Sequence, residues 1–362
     1  MSVAPPVTLP TAPTLRVPGL PFAAGFVGLV VAAGVLAGAV PVAFSIATVF
    51  LFAGPHNWLE ARYVLGRLPA RVGKLRGFFL LSAAGMVGLT AGFAAIPWLY
   101  TQVDTAAGQG AVLAGWNTAF VFWVAGLVWM RSRTNPRFDG GGVWPAAFLL
   151  TAGVWLNPLA LNVALVYLHP LMALVLLDRE LGRSRRHWRP AYRAALVAVP
   201  LGLAVLYARL HDAPDLPGTD PLTAVIATHL DQRDLVSPVA DDADPLTAAI
   251  TTHAGAGFLD GVSTHFLVAA HTFLEMVHYG AWVVLIPLVG LRAWPWQLGT
   301  IPAARRSPGW ARGVGAFLLC GLLVVVTLWA CFLLDYPTTR SVYFTVALLH
   351  VLAEIPFLLR MV

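Results

Sequence analysis

The chain has 362 residues, 58% of them hydrophobic and only 11% charged, with a mean hydropathy of +0.75. Soluble domains carry about 25% charged residues, so the composition argues against a water-soluble protein and for a polytopic helical membrane protein. The net charge of +6 does not indicate nucleic acid, because the basic residues sit in short loops between apolar runs.

Residues 1–20 read as a Pro/Thr-rich flexible tail, with one basic residue, Arg16, before the first apolar run. The tail resembles neither a signal peptide nor a cleavage site. From 21 to 362 the chain reads as one integral membrane domain. Ten apolar segments follow, near 22–39, 42–61, 76–99, 111–130, 143–160, 162–178, 193–209, 264–291, 313–335 and 341–361. The fifth and sixth are separated only by LNPLALN, which suits a tight hairpin or a broken helix.

The loops support this division. Arg62, Arg67, Arg71, Lys74 and Arg76 follow segment two, and Arg131, Arg133 and Arg137 follow segment four. Six arginines from Arg179 to Arg193 follow segment six, and Arg292, Arg305, Arg306 and Arg312 follow segment eight. Odd-numbered loops are nearly free of Lys and Arg. All basic loops then share one face, which places both termini in the cytoplasm, with a bacterial inner membrane as the expected location.

One long outer loop, about 210–262, carries many aspartates and two similar pieces, PLTAVIATH and PLTAAITTH. These read as two interfacial helices. The aspartates lack EF-hand spacing. His229 and His253 read as solvated loop residues, and His187 lies in a basic loop. Cys320 and Cys331 share one apolar segment, eleven residues apart, without metal-ligand spacing.

The informative feature is ionisable side chains inside apolar segments. His271, Glu275 and His278 stand at i, i+4 and i+7, within about 60° on one helix face. His56 with Glu60 and His350 with Glu354 are i, i+4 pairs, and His169 lies mid-way along segment six. Counting along each segment brings His56, His169, His278 and His350 to a similar slab of the bilayer. A single such group is often a hydrogen-bonding residue packed on a neighbouring helix. Each costs a few kcal/mol at the bilayer centre, so seven together call for mutual compensation. A cation held by imidazole and carboxylate supplies it. The candidate ligands are therefore His56, Glu60, His169, Glu275, His278, His350 and Glu354, with Glu275 and His271 as catalytic candidates. Imidazole and carboxylate without thiolate suit non-haem iron, with zinc, manganese or copper as alternatives. Tyr279 and Tyr343 are candidate pocket-lining residues.

Two short motifs add a family resemblance. GPHNWLEAR in segment two resembles the P-H-G-x-x-D motif of the Brp/Blh family of membrane-bound carotene dioxygenases, and HYG at His278–Gly280 is similar to that family's H-F-G element. Asn57 stands in place of the glycine and Glu60 in place of the aspartate, and no acid follows HYG. The resemblance implies a polytopic, iron-dependent oxygenase of a polyene, with His56 and His278 as ligands.

The leading expectation is a membrane-embedded metal-dependent oxidoreductase whose partner is an apolar, membrane-soluble small molecule such as a carotenoid, terpenoid, quinone or acyl chain. Two alternatives use the same residues. Four mid-membrane histidines can ligate haem b for electron transfer or haem modification. A His/Glu chain can also relay protons in a transporter.

Overall fold

The computed structural model describes residues 19–69, 73–135, 139–216, 245–256, 261–290 and 295–361. The tail to residue 18, Arg71, Arg137, His229, Asp260, Arg292 and the acidic positions between 220 and 244 lie outside them. Among the described residues every regular element is helical. In chain order they are α1 (Gly19–Ala39), α2 (Pro41–Arg67), α3 (Arg76–Thr101), α4 (Ala106–Thr134), α5 (Val143–Leu156), α6 (Pro158–Ser184) and α7 (Arg189–Ala195). Then come α8 (Ala198–Leu210), α9 (Pro245–His253), α10 (Thr264–Gly280), α11 (Ile286–Gly290), α12 (Pro308–Leu334) and α13 (Tyr336–Met361). Nine spans among the described residues are long and apolar enough to cross a membrane, with α7 and α8 forming one span and α10 and α11 another. The protein is thus an all-α integral membrane protein.

The nine spans coincide with nine of the ten expected segments. The other, α5, has 14 residues. At about 1.5 Å per residue it covers about 21 Å, short of the ~30 Å hydrocarbon core. It runs antiparallel to α4, as the Phe122–Phe148 and Trp129–Trp144 ring contacts show. The LNPLALN ambiguity resolves into a turn at Asn157. That side chain accepts a hydrogen bond from the Leu159 N–H at 3.2 Å and caps α6. Pro158 fits the first helical position because its missing N–H would be unpaired there anyway.

The helices carry large apolar side chains on their outer surface, including Leu149, Leu323 and Leu333. The polar residues are inside. Helix α10 is central: thirteen of its seventeen residues are buried, so its ionisable groups face protein rather than lipid. It packs against α1, α2, α6, α8 and α9. At Gly280 a Cβ would collide with the Leu29 side chain, so glycine is what lets α1 approach the end of this helix.

Prolines mark the helices that carry the site. Pro55 precedes His56 in α2, Pro170 follows His169 in α6, and Pro356 lies two residues past Glu354 in α13. Each removes one backbone hydrogen bond and permits a local bend. Pro287 cannot donate to the carbonyl four residues back, and the chain just before it forms a π-turn over Ala281–Leu285. Such turns re-aim the side chains around them. Here the fully buried Trp282 donates its indole N–H to Glu354 at 3.0 Å.

Several arginines expected as topology signals also hold the bundle together. Arg67, Tyr63 and Ser184 all donate to the buried Glu180 carboxylate, with Tyr63 at 2.7 Å. Arg189 and Arg193 each grip Asp178 through two hydrogen bonds. Arg62 is buried and binds the Pro295 carbonyl and the Thr300 hydroxyl.

At the opposite end, the second expected interfacial piece is α9; the first, 221–230, lies outside the described residues. Asp215 fixes the entry into α10, accepting from the Thr264 N–H and hydroxyl, both at 2.9 Å. These bonds hold the Asp215 carboxyl below its ordinary pKa. A depressed carboxyl contributes stability above the unfolded value and loses it as pH falls through the folded one. Asp215→Ala is therefore expected to speed amide exchange at 264–268 near neutral pH. The difference from wild type should vanish below the ordinary aspartate range. A difference that persists in acid would refute this role.

Candidate metal centre

Helices α2, α6, α10 and α13 bring His56, His169, His278 and His350 together. Their rings form a closed cycle. Centroids are 5.5 Å apart for His56–His278, 4.7 Å for His278–His169, 5.2 Å for His169–His350 and 5.0 Å for His350–His56. All four histidines expected at one depth are thus neighbours.

Three of them converge nitrogen to nitrogen. One ring nitrogen each of His56, His278 and His350 lie within 4.8 Å of one another, an arrangement that can hold a metal ion. His56 Nε2 is 3.5 Å from His350 Nε2. Imidazole nitrogens bound to one metal at about 2.0–2.1 Å in tetrahedral geometry sit about 3.3 Å apart, so His56 and His350 are near ligand spacing and His278 has to close in by at most about 1.5 Å.

Hydrogen bonding sets the tautomers. His56 Nδ1 lies 2.9 Å from the Phe52 carbonyl and His278 Nδ1 lies 3.2 Å from the Pro170 carbonyl. A carbonyl only accepts, so each Nδ1 carries the proton and each Nε2 of the neutral ring presents a lone pair. Fixing one ring nitrogen in this way is how metal-binding histidines are oriented. His278 Nε2 is buried without a protein partner.

The carboxylates surround this core. Glu354 lies with one oxygen 3.2 Å from His169 Nδ1 and takes the Trp282 indole on the other. Glu60 is buried one turn beyond His56 and interacts electrostatically with Glu354. Glu275 accepts the Tyr279 hydroxyl at 2.7 Å. One oxygen each of Glu60 and Glu275 is buried without a hydrogen-bond partner. His278 Nε2 and these carboxylate oxygens are electron-pair donors. Buried polar groups are normally satisfied, and what such a set lacks is a proton or a cation.

A cavity of about 370 Å³ opens from the histidine cluster. His56, His169, His278 and His350 line one end. Phe93, Trp116, Leu159, Val163 and Leu348 line an apolar wall. Leu159 is half exposed on the outer surface of the bundle, so the apolar wall of the cavity extends to that surface beside the α5–α6 turn. His271 and Glu275 border the cavity rather than joining the three-nitrogen group. Tyr279 and Tyr343 line it as expected; the Tyr279 ring packs 4.5 Å from His56.

Two residues of this region escape the sequence reading. His253, read as solvated, packs against His271 and Phe344 and lines the cavity. It was misread because α9 folds back onto the bundle, which no local pattern announces. Arg340 is buried in α13 near the same end. Its signal was present, as an arginine on the face otherwise almost empty of basic residues. His187 is exposed, as expected. Cys320 and Cys331 are free on α12, and neither lines the cavity.

No protein-family model, curated protein or solved structure matches this chain.

Proposed function

We propose that this protein is a membrane-embedded, metal-dependent oxidoreductase, an oxygenase of an apolar lipid or polyene that enters from the bilayer. The observation that carries the reading is the meeting of two features. Three imidazole nitrogens converge at one end of an apolar cavity, and the wall of that cavity extends to the outer surface of the bundle at Leu159. Non-haem iron suits an imidazole and carboxylate set without thiolate. The resemblance of GPHNWLEAR and HYG to carotene dioxygenase motifs supports the same choice.

In this reading His56, His278 and His350 bind the metal. Glu354 orients His169 beside them, and Glu60 adds negative charge one turn away. The metal, when bound, supplies oxygen activation and leaves positions open for it. The chain's own share is to hold the ligand tautomers, exclude water and align the substrate along the apolar wall. Glu275, hydrogen-bonded by Tyr279 at the cavity wall, can hold or release a proton there.

The haem alternative fits the geometry less well. A porphyrin between any two of these imidazoles would occupy the space of the other two, since the four rings close a cycle at 4.7–5.5 Å. A proton-relay reading draws on the buried His271, Glu275, Glu354 and Glu60 and predicts protein without bound metal.

The test is metal content and an optical spectrum on one purified sample. About one non-haem metal per chain without a Soret band is expected, followed by oxygen-dependent turnover of carotenoids or lipids. A Soret band would favour haem. Absence of both metal and chromophore, in protein purified without chelator, would sink the oxygenase reading in favour of the relay.

A further inference from the structure

The end of the cavity away from the arginine-rich face has its own chemistry. Arg340 is only 7% exposed. Its guanidinium carbon lies 4.6 Å over the ring of Phe344, a cavity-lining residue. Its Nε has no hydrogen-bond partner. Among the described residues no carboxylate forms an ion pair with it. Its electrostatic neighbours are Tyr336, Glu275 and Tyr279, and Glu275 already accepts the Tyr279 hydroxyl.

His253 and His271 meet at the same end, with ring centroids 5.0 Å apart. Both line the cavity, and neither side chain makes a hydrogen bond to a described residue. A buried cation whose nearest carboxylate, Glu275, acts on it only at a distance beyond ion-pair contact is a costly arrangement. Two imidazoles with free nitrogens beside it add hydrogen-bonding capacity that nothing in the described chain uses.

We propose that Arg340, with His253 and His271, forms a head-group site for an amphiphilic substrate that carries a carboxylate. The acyl chain of this substrate runs along the apolar wall toward the three-imidazole centre. The proposal narrows the substrate class of the function proposed above and rests on that reading for what happens at the far end. It favours a long-chain acid over a hydrocarbon polyene that has no head group.

The spacing fixes where along the chain the centre lies. His271 precedes His278 by seven residues and Arg340 precedes His350 by ten, so head and centre are about 10–15 Å apart. Extended covalent chains advance about 1.2 Å per bond, which puts the centre roughly eight to twelve bonds from the head.

The experiment is equilibrium binding of radiolabelled palmitate and methyl palmitate to the full chain in detergent. Wild type is expected to favour the acid about ten- to hundredfold, the effect of one charge-assisted contact. Arg340→Gln should erase the preference, and Arg340→Lys, which keeps the charge, should retain part of it. His278→Ala should retain all of it. Equal binding of acid and ester by wild type overturns the proposal, as does an unchanged preference in Arg340→Gln. The latter would leave Arg340 as a distant charge partner of Glu275. If Arg340→Gln does not fold, the wild-type and Arg340→Lys ratios still decide. A preference for the acid in wild-type protein that carries no metal when purified without chelator would uphold the head-group site and refute the oxygenase reading. Metal without any preference would do the reverse.

Discussion

His278→Ala is expected to strip the metal from the purified protein and to abolish oxygen-dependent turnover. Losing a partner that merely orients a ligand costs about 10–100-fold in metal affinity, and losing the ligand itself should cost at least that. His278 is the most informative of the three because its Nε2 is buried with no protein partner, while its Nδ1 is committed to the Pro170 carbonyl. Removing the ring leaves His56 and His350 as a two-nitrogen site. Metal analysis after gel filtration provides the check, with His187→Ala, an exposed position, as the control. Full metal occupancy in well-folded His278→Ala protein would remove the three-nitrogen group from consideration.

Val163→Trp is expected to leave the metal in place and to lower turnover about a hundredfold, the scale on which a displacement of about 1 Å costs rate. Val163 is a half-buried residue of α6 on the cavity wall, one turn from the surface-reaching Leu159. An indole there, six residues along α6 from His169, fills the part of the cavity next to Leu159. Val163→Ala, which widens that part, should turn over at least as fast as wild type. Steady-state rates and metal content on the same preparations decide the matter. Unimpaired turnover in Val163→Trp would mean that the substrate does not use this cavity.

The membrane-spanning architecture was legible in the sequence because hydropathy and loop charge are local properties. The run of apolar segments separated alternately by arginine-rich and arginine-poor loops gave the division that α1 to α13 follow. Depth was legible too, since a helix advances a fixed distance per residue. That is why His56, His169, His278 and His350 could be set in one slab before their contacts were known. Spacing also placed Glu354 and Glu60 one turn beyond their histidines.

Adjacency required the tertiary structure. Which helices touch depends on side-chain complementarity along whole surfaces and on bends at Pro55, Pro170, Pro287 and Pro356, and no window of sequence contains that information. Only the packed bundle separated the residues of the α10 face. It turned His278 into the three-nitrogen group and left His271 and Glu275 on the cavity wall. Only the packing of α9 brought His253 to the cavity, against the expectation of a solvated loop. Arg340 could be noticed in the sequence as an exception to the charge pattern. Its burial beside two histidines at the cavity end arises from three helices meeting, and the sequence by itself determines the helices but not their meeting.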